Sequence, residues 1–126
     1  MEVEIILYVK DQDKSNELYR KLLKKAPVLD APGMTEFQLS DNCKLGLMPS
    51  EGIVKILKNH LPHPATGDGI PRCELYLRVE NIEEEYENAL SSGARTISPI
   101  LDRDWGDKAC YFADFDGHVI AFASSV

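Results

Sequence analysis

Two stretches of alternating apolar and polar residues, seventy positions apart, stand out along this chain: "VEIILYVKD" at residues 3–11 and "CELYLRVEN" at residues 73–81. An alternation with a period of two predicts a β-strand with one apolar face. The apolar positions are Val3, Ile5, Leu7 and Val9 in the first stretch, and Leu75, Leu77 and Val79 in the second. Each stretch therefore predicts a strand that needs a cover on one face.

A charged segment with apolar residues at helical spacing follows each strand. Residues 14–25 and 82–92 are predicted amphipathic helices that cover the apolar strand faces. Asp11 or Asp13 is expected to cap the first helix, and Gly93 to end the second. The apolar positions are Leu18, Tyr19, Leu22 and Leu23 in the first helix, and Ile82, Tyr86, Ala89 and Leu90 in the second.

The rest of the pattern repeats as well. "TEFQLSDN" and "KLGLMP" predict strands after the first helix, and "ARTISPIL", "KACYFAD" and "HVIAFAS" predict strands after the second. A linker helix is expected over residues 50–61, stopped by Pro62. We therefore predict a single α+β domain over residues 1–126, with module one at 1–49, a linker helix and loop at 50–72, and module two at 73–126. The two βαβββ modules are expected to form an open mixed β-barrel around a shared cleft.

The reverse faces of the two predicted strands carry polar and aromatic residues that a solid core would not select. They are Glu4, Ile6 and Tyr8 in the first strand and Glu74, Tyr76 and Arg78 in the second. Tyr8 and Tyr76 are expected at equivalent inward positions, where their hydroxyls would bond a ligand. Glu4 and Glu74 must be solvated, paired with Arg78, bound to a metal or partly protonated. Such a lining favours a cationic guest, although a solvated cavity without a specific guest is the alternative.

Composition and charge exclude several functions. The 126 residues are 44% hydrophobic, and 21 acidic against 14 basic residues give a net charge of −7. This is the wrong sign for binding the phosphate backbone, so we expect no nucleic-acid partner. No apolar stretch approaches the roughly 20 residues of a membrane span, and the first residues lack a basic leader. We expect a cytoplasmic protein without membrane contact. Cys43, Cys73 and Cys110 form no CxxC pair and are expected to be reduced core or strand residues.

Two motifs resemble the signatures of the vicinal oxygen chelate superfamily, which includes glyoxalases, bleomycin-resistance proteins and dioxygenases. "YVKDQDKSNELYRKLL" resembles the opening motif and "YFADFDGHVIAF" the closing motif. The matching residues are Val9, Asp11, Ser15, Leu18, Tyr19 and Leu22, then Phe112, Asp114, Asp116, Gly117, His118, Ile120 and Phe122. Phe115 stands where the family usually has proline, which alters the turn. The resemblance spans nearly the whole chain and implies the paired-module fold.

The resemblance also implies where a metal ion would be held, with one ligand from each of four strands. The four positions fall on Glu4, Glu74, about Gly46, and Ala121. Two of them carry no ligand atom, so we expect no metal cofactor. The alternative is a hard divalent ion such as Mg²⁺ or Mn²⁺ at Glu4 and Glu74, in a lyase, isomerase or dioxygenase of the glyoxalase type. His60, His63 and His118 lack a fourth ligand for zinc, and His60 is expected to pack against its helix or to cap it.

The Trp-Gly pair before the last predicted hairpin is similar to the bleomycin-resistance branch. That likeness implies a homodimer without a catalytic metal, in which Trp105 stacks on a planar cationic ligand. A buried loop anchor is the alternative role for Trp105. We therefore predict metal-free binding or sequestration of a small planar or cationic molecule, with Trp105, Tyr8, Tyr76, Glu4, Glu74 and Arg78 as ligand-binding residues. Association with a protein partner alone is a third hypothesis. Neither the ligand nor an exchange of modules between chains follows from the sequence.

Overall fold

A computed structural model describes all 126 residues and divides them into two compact units, Met1–Asp68 and Gly69–Val126. Unit 1 contains β1 (Val3–Val9), α1 (Gln12–Leu23), β2 (Leu29–Ala31), β3 (Met34–Ser40), β4 (Cys43–Pro49), α2 (Ser50–Leu57) and a 3₁₀ turn (Pro64–Gly67). Unit 2 contains β5 (Glu74–Arg78), α3 (Ile82–Ser92), β6 (Arg95–Asp102), β7 (Asp107–Ala113) and β8 (Val119–Ser125). None of the helices combines the length and the hydropathy that crossing a membrane requires.

The two units share one strand order. The sheet of unit 1 runs β1-β4-β3-β2 and that of unit 2 runs β5-β8-β7-β6. In each sheet the first strand is parallel to the last strand of its unit, and the other pairs are antiparallel. The predicted α+β class and the duplicated βαβββ plan are therefore confirmed, as two separate sheets. A cleft shared by the modules stays a prediction.

Helix α1 starts two residues earlier than the sequence predicts, because Asp11 caps it: its carboxylate accepts a hydrogen bond from the Lys14 amide at 3.1 Å. The helix buries Leu18, Tyr19 and Leu22 against β3 and β4. The expectation that it covers the whole apolar face of β1 is wrong. Leu7 and Val9 are buried, but Val3 and Ile5 remain 46% and 42% exposed, since α1 lies over the inner strands rather than along β1.

Helix α2 ends four residues before the predicted boundary. Its C-terminal cap is Lys58, a non-glycine residue with a φ of 53°. Residues other than glycine rarely adopt a positive φ. This backbone conformation turns the chain away from the helix axis. His60 and Leu61 therefore lie exposed beyond the helix. The expectation that His60 packs against the helix is wrong, but its amide donates to the Leu57 carbonyl at 3.0 Å, which agrees with the capping alternative.

Unit 2 follows its prediction closely. Helix α3 begins after the cap Asn81 and ends at Gly93, whose φ of 105° suits glycine. Tyr86 of this helix packs on Phe112 with ring centroids 5.7 Å apart, and Phe112 lies 6.4 Å from Phe122 in the core. Phe112 and Phe122 are therefore the large side chains of this core.

The cysteines are all free, as expected, but their positions differ. Cys110 is buried in β7 and Cys43 is partly buried in β4. Cys73 is exposed, because β5 begins only at Glu74. Its predicted place inside a strand is wrong.

Candidate functional site

One face of the unit 2 sheet combines large polar side chains with a floor of alanines. Glu74, Tyr76 and Arg78 alternate with the half-buried Leu75 and Leu77 of β5, so they lie on the face opposite to these leucines. Tyr76 pairs with Ala121 of β8, and Ala121 pairs in turn with Tyr111 of β7. Ala121 has only a methyl group, so no large side chain fills the sheet surface between Tyr76 and Tyr111.

Asp107, the first residue of β7, is the centre of a hydrogen-bonded network on this face. Its carboxylate accepts bonds from the Tyr76 hydroxyl at 2.8 Å and from two nitrogens of the Arg78 guanidinium at 2.7 and 3.0 Å. Arg78 also donates to the Ser125 hydroxyl at 3.2 Å. The Asp107 side chain is only 10% exposed, whereas that of Arg78 is 55% exposed. Asp107 is thus a nearly buried carboxylate whose charge is balanced by a more accessible guanidinium.

Trp105 lies in the tight turn between β6 and β7. The Arg103 amide donates to the Asp107 carbonyl at 2.7 Å, and the Gly106 amide to the Arg103 carbonyl at 3.1 Å. Gly106 has a φ of 93°, a conformation that glycine adopts without strain. The indole nitrogen of Trp105 donates to the Tyr76 hydroxyl at 2.9 Å, while the residue stays 59% exposed. The ring edge is therefore anchored and much of the ring surface faces solvent.

Arg103 holds the base of this turn. Its guanidinium donates to the Ala109 carbonyl at 2.8 Å and to the Ser98 hydroxyl at 2.8 Å. It also lies 5.1 Å from the centroid of the Tyr111 ring, within cation–π range. These contacts connect β6 and β7 next to the turn, so the position of Trp105 does not depend on its own hydrogen bond alone.

The network sets the protonation of its members. The Arg78 guanidinium, followed by the Tyr76 hydroxyl, holds the pKa of Asp107 below its usual value, although desolvation acts against this shift. Burial raises the pKa of Tyr76; the hydrogen bond from Trp105 acts against this shift and the hydrogen bond to Asp107 adds to it. Asp107 is therefore ionised and Tyr76 protonated at neutral pH.

The structure brings Trp105, Tyr76 and Arg78 together, which the sequence had assigned to a ligand site. Asp107, which joins them, was missed. The only signal for it was a single aspartate two positions after Trp105, and an isolated carboxylate in a charged segment has no distinctive pattern. The expectation that Arg78 balances a glutamate differs from the structure, because its bidentate partner is Asp107.

The corresponding face of unit 1 has a different chemistry. Gly46 of β4 lies between Ile6 of β1 and Glu36 of β3 in the sheet register. A Cβ atom at Gly46 would lie 3.0 Å from the Glu4 carboxylate, so this carboxylate extends over the glycine. Hydrogen bonding to Glu36 raises the pKa of Glu4, with further contributions from burial and from the Glu36 charge. Lys44 lies 3.7 Å from Glu36 and partly offsets these effects.

Tyr8 does not occupy the place that corresponds to Tyr76, and the predicted equivalence is wrong. Ile6 pairs with Gly46 as Tyr76 pairs with Ala121, while Tyr8 pairs with Met48 as Arg78 pairs with Ala123. The physical reason is the strand period of two, which places Tyr8 two residues further along the face. Tyr8 is 38% exposed.

Asp114, Asp116 and His118 form a cluster of potential metal-ligating side chains, with ligand atoms within 4.8 Å of one another. The Asp114 carboxylate already accepts bonds from the amides of Asp116 and His118, both at 2.9 Å, and contacts His118 Nδ1 at 2.8 Å. These bonds build the turn that ends with Gly117. His63 instead caps the 3₁₀ turn, accepting a bond from the Ala65 amide at 3.0 Å. The cluster is therefore accounted for by the turn.

The family's four metal positions do not fit a four-ligand ion in this chain. In unit 1, Glu4 offers a carboxylate but Gly46 has no side chain. In unit 2, Glu74 offers a carboxylate but Ala121 is fully buried and has only a methyl group. Transition-metal sites need three or four donors of nitrogen, sulfur or oxygen. The two carboxylates therefore fall short of the donor set of such a site.

The paired units define a class of protein built from duplicated βαβββ modules, and solved structures of that class resemble this chain. A glyoxalase-related enzyme from Fulvimarina pelagi matches with a TM-score of 0.83 and 20% identity, covering 99% of this chain and 88% of the other. A glyoxalase/bleomycin resistance protein/dioxygenase from Nocardioides matches with a TM-score of 0.79 and 20% identity, covering 100% and 83%. A family enzyme of the same description from Burkholderia phytofirmans matches with a TM-score of 0.82 and 10% identity, covering 98% and 97%. At these identities the likeness shows the fold.

The family model described as the glyoxalase-like domain matches residues 2–126. No curated protein matches the sequence. The chain belongs to the glyoxalase-like domain family.

Proposed function

We propose that this chain binds a small planar cation without a metal ion, on the face of unit 2 that carries Trp105. The observation that supports this most strongly is the anchored indole, which is 59% exposed while its nitrogen is bonded to Tyr76. Large aromatic side chains bury much area when they are packed, so an exposed ring fixed at its edge offers a surface for stacking. The proposal includes a bleomycin-resistance-like role, in which the bound molecule is sequestered.

A cation suits this surface for electrostatic reasons. The face of an indole attracts positive charge, with about 0.5–2 kcal/mol gained depending on desolvation. The charge of Asp107 is balanced by Arg78, and Glu74 adds an exposed negative charge at the opposite end of β5. The net charge of −7 also favours the approach of cations. Glu4 and Tyr8, on the sheet of unit 1, stay predicted binding residues.

Equilibrium titration with a panel of aromatic compounds tests the proposal. Trp105 is the only tryptophan, so its fluorescence reports on this turn alone. Planar cations should change the emission saturably, and neutral or anionic compounds of the same ring size should bind more weakly. A panel in which anions or neutral compounds bind while planar cations do not would contradict the proposal.

The alternative function is a divalent-metal-dependent lyase, isomerase or dioxygenase using Glu4 and Glu74. One observation favours it: Glu36 provides a second carboxylate next to Glu4, and Mg²⁺ is often held by one or two carboxylates with water. Elemental analysis of protein purified without chelators separates the two functions. Stoichiometric Mg²⁺ or Mn²⁺ that is lost in Glu4→Gln would favour the enzyme.

A further inference from the structure

The Tyr76 hydroxyl has a fixed role in each of its two hydrogen bonds: it accepts one from Trp105 and donates one to Asp107. An indole nitrogen is a donor without acceptor capacity, so the Tyr76 oxygen must accept the bond from Trp105. An ionised carboxylate is an acceptor only, so the Tyr76 hydroxyl must give its single proton to Asp107. A phenol oxygen has two lone pairs, and Trp105 uses one of them. What Tyr76 can still offer a ligand is an acceptor.

Asp107 is itself held in the acceptor role. Arg78 donates to both of its oxygens, at 2.7 and 3.0 Å, and a guanidinium carries its charge at every accessible pH. The pKa of Asp107 is lowered by this contact. The Tyr76 hydroxyl therefore donates its proton to Asp107 throughout the neutral pH range.

We infer that Tyr76 is a specificity-determining residue, and that the ligand is a planar cation carrying an N–H donor at the edge that meets the Tyr76 oxygen. The inference rests on the proposed function and narrows its ligand class. A ring that packs on the exposed part of the indole lies next to this oxygen, because the oxygen is only 2.9 Å from the indole nitrogen. A donor there completes the oxygen's bonding, whereas an acceptor meets a lone pair.

Two cationic tricycles of similar shape test the inference. Protonated aminoacridine carries N–H donors, and N-methylacridinium carries the same charge without them. We expect calorimetric titration to give an affinity for aminoacridine about threefold to tenfold higher, the range of one net hydrogen bond. In Tyr76→Phe, which lacks the oxygen, the two affinities should become equal. Tyr86→Phe is the matched control, because Tyr86 stacks on Phe112 on the α3 side of the sheet.

The outcomes separate the inference from the proposed function. Equal binding of both tricycles to the unaltered chain would overturn the inference and leave planar-cation binding in place. Binding of neither tricycle would overturn both. The comparison in the unaltered chain decides the matter even if Tyr76→Phe does not fold. Preference for aminoacridine that persists in a folded Tyr76→Phe would assign the selectivity to another residue and overturn the inference.

Discussion

The two sheets have the same strand order, yet their faces away from the helices differ in chemistry. In unit 1 the Glu4 carboxyl extends over Gly46 and interacts with Glu36, and the pKa of Glu4 is raised. In unit 2 the carboxylate of Asp107 is paired with Arg78, and its pKa is lowered. The same backbone register thus supports an acidic pair in one unit and a balanced, directional network in the other.

The two units share the character of their buried cores and differ on the opposite sheet faces. Each sheet buries large aromatic and aliphatic residues on its helix side, with Phe37 in unit 1 and Phe112 and Phe122 in unit 2. Packing dictates residue type on that side, whereas the opposite faces are free to diverge. We therefore expect core substitutions to affect both units alike and substitutions on the opposite faces to affect them differently.

The largest effect should come from the cores. Phe37→Ala and Phe122→Ala each remove a buried ring and leave a cavity, which typically costs about 3–5 kcal/mol. Urea denaturation of the two variants should show similar losses. Phe115→Ala is the control, because Phe115 is 58% exposed. A large loss from only one of the two core variants would contradict the equivalence of the cores.

Removing the stacking surface should weaken binding more than any other single change on the unit 2 face. Trp105→Ala should reduce affinity for aminoacridine by about tenfold, since an aromatic pair contributes up to roughly 1.5 kcal/mol. Phe115→Ala again serves as the matched control, since Phe115 and Trp105 are 58% and 59% exposed and both lie in turns of unit 2. Calorimetry that finds the two variants equal would show that Trp105 is not the platform.

The acidic pair of unit 1 predicts a smaller effect that depends on pH. The folded chain holds the Glu4 proton to a higher pH than the unfolded chain, whose ordinary value is 4.5. Wild-type stability therefore falls as pH rises from about that value through the folded pKa. Glu4→Gln removes this penalty and should gain about 0.2–1 kcal/mol at pH 7, as expected for exposed charges. The gain should vanish below about pH 4, where Glu4 is protonated in both states.

The smallest effect concerns the turn of unit 2. Burial lowers the pKa of His118, but the hydrogen bond and charge of Asp114, with the charge of Asp116, outweigh it and raise the pKa above 6.5. The stability from this pair is full below 6.5 and is lost as pH rises through the folded value. NMR titration of the His118 ring should therefore give a midpoint above 6.5. A midpoint for His118 below 6.5 would contradict the contact with Asp114.

The sequence alone predicts most of the fold and only part of the site. The alternation of β1 and β5 and the caps at Asp11 and Gly93 are local signals, so the elements could be placed. The end of α2 at Lys58 could not, because a positive φ at lysine has no sequence signature. Trp105 and Tyr76 could be named as candidates. The hydrogen bond between Trp105 and Tyr76 could not be predicted, because it depends on a turn that brings together residues 29 positions apart.

The most direct test of the account is the indole signal of Trp105 in a nitrogen-15 NMR spectrum. With one tryptophan in the chain, a single indole N–H resonance reports the bond to Tyr76. On titration with aminoacridine, we predict that this resonance shifts saturably, together with backbone amides of the turn at residues 103–107. An unchanged indole resonance at saturating aminoacridine, with shifts confined to the sheet of unit 1, would contradict the account.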